Sequence, residues 1–127
     1  MHFKEKQAIY IQLAEMITDN ILSGRWIEED KIPSVREMAI TMEVNPNTIA
    51  RTYNYLQDKG IIQNKRGIGY FVSPDGCALA KESRRKKFLK TELPVFFKSM
   101  KLLDIDFETV ADLYKEYSRK GANNENE

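Results

Sequence analysis

Residues 45–58 concentrate side chains that can hydrogen-bond to a flat, polar edge: Asn47, Thr48, Arg51 and Asn54, with Tyr55 alongside. On a helix at about 100° per residue, Asn47, Arg51 and Asn54 fall on one side and Thr48 and Tyr55 on its flank. Ile49, Tyr53 and Leu56 fall on the opposite side. A guanidinium matches O6 and N7 of guanine, a carboxamide matches N6 and N7 of adenine, and threonine serves a phosphate or a base methyl. Such a face suits the major groove of a duplex. Taken alone it is more often an amphipathic helix with a solvated polar edge, and Asp58 on the same face favours that plainer reading.

A second feature follows. Lys65-Arg66-Gly67-Ile68-Gly69 sets two cations beside backbone of little side-chain bulk. That loop fits against phosphates or in a minor groove; equally it is a hairpin turn with charge for solubility. From Asn45 to Arg66, four cations (Arg51, Lys59, Lys65, Arg66) face one acid (Asp58), an excess of +3. The excess is local, since residues 1–73 hold 9 basic and 9 acidic side chains.

Other chemistry is excluded by what is missing. The 127 residues carry 20 Lys and Arg against 19 Asp and Glu, a net of +1, so bulk charge does not bind polyanions. Hydrophobic residues at 42% and charged ones at 31% fit a soluble globular protein. Cys77 is the only cysteine and His2 the only histidine, which leaves no intrachain disulfide, no metal site and no histidine acid–base pair. With no nucleophile–base pair and no phosphate loop, an enzyme is not expected, and no cofactor either. No run is apolar enough to span a membrane, and residues at the N-terminus lack a basic segment followed by an apolar stretch, so no secretion signal is expected and the expected location is the cytoplasm.

The elements that must position these residues can be read in order. Gln7 to Ser23 predicts a helix, with Tyr10, Leu13, Ile17 and Ile21 on one face and Gly24 as its stop. Arg25 to Pro33 is a connector. Ser34-Val35-Arg36-Glu37 has the capping-box pattern and opens a short helix to Met42. Arg36 on its first turn suits a phosphate, or an ion pair with Glu37 or Glu43. Asn45-Pro46 opens the third helix, as N-cap and N1, and Gly60 ends it. Ile61 to Lys65 and Tyr70 to Ser73 predict two strands. The order of three helices, a short turn between the second and third, and a hairpin is that of a winged helix-turn-helix.

The expected architecture is mainly α with a small β-hairpin: a winged helix-turn-helix domain at 1–74, a two-helix dimerisation segment at 75–120 and a disordered tail at 121–127. In the C-terminal part, Leu89, Leu93, Phe96, Met100 and Leu103 repeat at helical spacing, as do Phe107, Val110, Tyr114 and Tyr117. Pro94 should kink or divide the first of these helices, and Asp106 should cap the second. Two such stripes expose more apolar surface than one partner covers, which predicts a symmetric homodimer, with packing onto the winged domain as the alternative. Lys81, Arg84, Arg85, Lys86, Lys87 and Lys90, opposed by Glu82, form a run of net +5, read as a solvated face or a phosphate contact.

Four segments together resemble the GntR family of bacterial transcription regulators: Ala8 to Gln12, Ile32 to Ala39, Val44 to Tyr53 and Arg66 to Val72. The short helical remainder is similar to the YtrA-like subfamily. The resemblance implies a DNA-binding regulator, a repressor, paired through its C-terminal helices and bound to a palindromic double-stranded operator. It implies DNA contacts at Arg36, Asn47, Thr48, Arg51, Gly67 and Gly69, to which the face and loop above add Tyr55, Lys65 and Arg66. Family members often have Gly where Glu29 stands. The alternative from another class is a winged helix that binds a protein through the Tyr55 and Arg51 face and no duplex. A small-molecule effector is not specified.

Overall fold

The computed structural model describes residues 7–125, and the chain divides into two compact units between Arg85 and Lys86. The first holds α1 (Ile9–Leu22), α2 (Val35–Met42), α3 (Pro46–Asp58), β1 (Ile62–Lys65), β2 (Gly69–Val72) and all but the end of α4 (Gly76–Lys87). The mainly helical fold with one antiparallel hairpin is the one expected.

Local chemistry sets the boundaries. Gly24 leaves α1 with φ +83, a conformation that costs glycine nothing. The Ser34 hydroxyl accepts from the Glu37 amide at 3.1 Å, and the Glu37 carboxylate accepts from the Ser34 amide at 3.0 Å. These bonds, the backbone one foremost, hold the Glu37 carboxyl below the usual carboxylate range. Asn45 caps α3 through the Asn47 amide at 2.8 Å, with Pro46 at N1.

The core draws on every element of this unit. Leu13, Ile17 and Ile21 of α1 meet Met38 and Ala39 of α2 and Ile49, Tyr53 and Leu56 of α3, closed below by Ile32, Ile61, Ile62 and Val72. The Tyr53 phenol is fully buried, donates to the Pro33 carbonyl at 2.7 Å and meets the Tyr70 ring edge-on at 4.8 Å. Burial raises its pKa far above that of a free phenol.

Two expectations are corrected here. Residues 25–33 are more than a connector: Lys31 bridges to Phe71, the Ile32 amide donates to the Tyr70 carbonyl and the Val72 amide to the Asp30 carbonyl, each at 2.9 Å. This edge follows β2 because Glu29 turns the chain with φ 67, the left-handed conformation that favours glycine. The expected boundary at 74/75 also shifts, because the start of α4 belongs to the winged unit. Gly76 and Ala80 are buried, and a Cβ at Gly76 would sit 2.5 Å from the Ile61 carbonyl oxygen. Arg84 pairs with Asp19 at 2.8 Å and donates to the Glu15 carbonyl at 3.1 Å, which ties α4 to α1. Small residues carry the contact, and small residues leave little hydrophobic signal in a sequence.

In the second unit a π-helical turn (Phe88–Glu92) precedes α5 (Leu93–Leu102) and α6 (Phe107–Glu125). Pro94 does not divide the helix: Glu92 and Leu93 keep right-handed helical angles, and the turn before it is widened. A proline ring crowds the carbonyl four residues back and lacks an N–H, and a wide turn accommodates both. Asp106 caps α6, accepting from the Thr109 hydroxyl at 2.6 Å and amide at 2.9 Å, and the hydroxyl bond foremost lowers its pKa. Residues 121–125, expected as tail, continue α6; Gly121 is not among the positive-φ glycines, so nothing stops the helix there. Residues 126–127 lie outside the described residues.

No described residue of the second unit is buried. Of the nine predicted dimerisation residues, Leu93, Met100 and Val110 are half-buried and the other six exposed, Tyr117 at 75%. Phe88, Val95, Phe97, Leu102 and Leu113 are exposed as well, beyond the predicted stripes.

Candidate nucleic-acid interface

The geometry of α3 follows from its two edges. Ile49 and Tyr53 are 0% exposed and Leu56 1%, which fixes the roll of the helix; Asn47, Arg51 and Asn54 are then turned to solvent, with Thr48 and Tyr55 half-buried at the flank. Thr52, between the edges, is fully buried, and its hydroxyl lies 3.0 Å from the carbonyl oxygens of both Tyr10 and Thr48. It thereby ties α1 to α3 beside Arg51.

The cations are held by rings. The Arg51 guanidinium carbon stands 4.0 Å from the centre of the Tyr10 ring, which meets Tyr55 edge-on at 5.9 Å. The Lys59 ammonium stands 4.7 Å from the centre of Tyr55 and also donates to Ser83 at 3.0 Å. At the hairpin, the Lys65 ammonium stands 4.5 Å from the centre of Phe71. A cation over an aromatic face is attracted by its quadrupole without giving up a donor.

The wing is narrow for a reason. Gly67 and Gly69 take φ +78 and +142, and a Cβ at Gly69 would meet the Lys31 side chain at 2.9 Å. A side chain there would displace a lysine stem as well as strain the backbone. Arg66, Gly67 and Ile68 are exposed at the tip. Arg36, on the first turn of α2, is exposed and forms no ion pair with Glu37, Glu43 or any other described residue.

Two clusters therefore emerge: Tyr10, Arg51, Tyr55 and Lys59 along α3, and Lys31, Lys65, Gly69 and Phe71 at the hairpin. Arg36 and Asn47 are accessible, but their side chains join neither set of contacts. Tyr10, Lys59 and Lys31 are not among the sequence-predicted site residues. Tyr10 was legible only as part of the apolar stripe of α1, although a tyrosine in an aliphatic stripe signals a ring at the rim. Lys31 falls in a stretch, Arg25 to Pro33, with no apolar period to mark it.

Comparison with known proteins fits this geometry. A profile of the bacterial regulatory proteins of the gntR family matches residues 9–72. The HTH-type transcriptional repressor YtrA of Bacillus subtilis is 30% identical over 110 residues, 87% of this chain and 84% of the relative. A GntR-family transcriptional regulator structure from Bacteroides thetaiotaomicron superposes with a TM-score of 0.74 at 42% identity, covering 90% of this chain and 99% of that one. The DNA-binding domain of AraR in complex with operator ORX1 superposes with a TM-score of 0.53 at 27% identity, covering 55% of this chain and 84% of that one. The winged unit, the helix roll and these matches agree: the chain belongs to the GntR family of DNA-binding transcription regulators, which are not enzymes.

Proposed function

We propose that the chain is a repressor that binds a palindromic double-stranded operator as a homodimer. In this reading α3 enters the major groove and reads bases through Asn47, Thr48 and Arg51, with Tyr55 at its flank. The wing, through Lys65, Arg66, Gly67 and Gly69, and Arg36 on α2 hold phosphates. The helices of the second unit pair two chains and set the distance between half-sites. One observation carries the reading: α3 turns Ile49, Tyr53 and Leu56 inward and leaves Arg51 and Asn47 accessible. The uncovered apolar side chains of α5 and α6 support pairing, since exposed apolar faces of this extent mark association surfaces. Two-fold pairing supports palindromy, because a symmetric protein reads a symmetric site. The repressor sign is supported by the relative YtrA, itself a transcriptional repressor.

Selection of duplexes from a random pool by the full chain tests all three parts. The expected product is a palindrome with fixed half-site spacing, bound by a dimer in sedimentation, and lowered transcription from a promoter that carries it. A single unpaired half-site would remove the dimer from the proposal. No retention of any duplex would favour the protein-binding alternative.

A further inference from the structure

We propose that Tyr10 of α1 is the positioning residue for Arg51, holding the guanidinium in readiness for a base edge; the inference rests on the reading of α3 given above. The Tyr10 ring lies beneath the Arg51 guanidinium, 4.0 Å from ring centre to carbon. Tyr10 is itself held twice, once through its backbone and once through its ring. Its backbone carbonyl accepts from the buried Thr52 hydroxyl at 3.0 Å, and its side meets the Tyr55 ring at 5.9 Å and 77°. Thr52 adjoins Arg51 in the chain, so α1 is pinned to α3 at the residue next to the one it supports.

The type of contact matters. A carboxylate partner would occupy the N–H fork and cancel the charge that attracts nucleic acid. Among the described residues Arg51 has no such partner. A ring face restrains the side chain and leaves all five donors free for a nucleotide. An exposed arginine samples many rotamers, and the freedom it loses on binding opposes affinity. Restraint in the free protein removes part of that cost before the duplex arrives. Lys65 at the wing also rests on a ring, Phe71 at 4.5 Å, but a phosphate contact needs charge more than a set direction, so restraint matters most at Arg51.

The test uses the full chain and a duplex recovered from a random pool by the wild-type protein. Tyr10→Leu should weaken binding to that duplex by about 3- to 10-fold. It should leave unchanged the binding to a duplex with the Arg51-dependent base pair exchanged. Tyr10→Phe keeps the ring and should keep the affinity. In an Arg51→Ala background Tyr10→Leu should have no further effect. Nitrogen relaxation at Arg51 Nε supplies a readout without DNA: ordered in the wild type and Tyr10→Phe, with an order parameter below about 0.6 in Tyr10→Leu. If Tyr10→Leu fails to fold by thermal unfolding, Tyr10→Met, equally ringless and unbranched, replaces it. An equal loss with and without Arg51, or an Nε as mobile in the wild type as in the ringless variants, overturns the proposal. If the wild type retained no duplex, the reading of α3 would fall, while the relaxation data would still decide whether the ring holds the arginine.

Discussion

The two units solve the burial of apolar side chains in opposite ways. The winged unit holds all fourteen buried hydrophobic residues found among the described residues, from Leu13 to Ala80. The second unit has none, and leaves Phe96, Leu103, Phe107, Tyr114 and Tyr117 exposed. Both are built from amphipathic helices with good caps: Ser34 and Asn45 in the first, Asp106 in the second. Capping and periodicity therefore do not decide whether a helix is covered. What differs is the geometry of closure. Three helices, a hairpin and the start of α4 surround a common centre, whereas two successive helices present faces that need another surface.

That contrast can be tested by breaking each unit separately. The largest effect is expected from charge placed in the second: Phe96→Asp with Tyr114→Asp should abolish pairing in sedimentation and lower operator affinity about 10²- to 10⁴-fold, through loss of bivalency. The near-ultraviolet circular dichroism band of Trp26, the one tryptophan and a residue of the winged unit, should not change; a change would mean that the substitutions disturb that unit's core. The next effect belongs to the polar edge of α3. Arg51→Ala should cost about 1–3 kcal/mol of binding and relax preference at one base pair, without altering the oligomeric state. Lys65→Ala, by contrast, should weaken all duplexes alike and flatten the salt dependence by about two units of slope, one for each protomer of the dimer. Uniform weakening by Arg51→Ala would place that side chain on phosphate instead.

A smaller change should strengthen the winged unit alone. Glu29 occupies the left-handed region at φ 67, so Glu29→Gly should raise stability by about 1 kcal/mol in urea titration, the gain from relieved strain less the added freedom of the unfolded chain. The smallest effects are expected from one carboxylate in each unit. Glu37 and Asp106 have folded pKa values below their ordinary ones. The unfolded chain therefore binds protons first as pH falls, and each group's contribution is full above the usual carboxylate range and lost as pH drops through the lowered folded value. Glu37→Gln keeps the capping-box geometry and removes the titration. The stability difference between wild type and variant should narrow with falling pH, and a constant difference would refute the assignment.

Much of this protein was legible in its residues. The capping box at Ser34, the Asn45-Pro46 start and the inward row of Ile49, Tyr53 and Leu56 are local or periodic signals, and the row foretells the roll of α3 that burial against α1, α2 and the hairpin enforces. The exposure of Asn47 and Arg51 follows from that roll. The joint order of motifs from Ala8 to Val72 carried the family. Missed features share a cause. Lys31 against Phe71, Gly76 against Ile61 and Arg84 against Asp19 join residues far apart in the chain, through small side chains or single hydrogen bonds that leave no period.

The order of elements, their caps and the two-sided character of α3 were thus written in the chain, because propensity, capping and periodicity act within about two turns. Tertiary structure alone decided that the start of α4 closes the winged core, that Glu29 must turn left-handed, and that Arg51 rests on a ring from α1. Those outcomes depend on which distant surfaces meet, and a ring can hold a guanidinium only once the fold has brought the two together, here 4.0 Å apart.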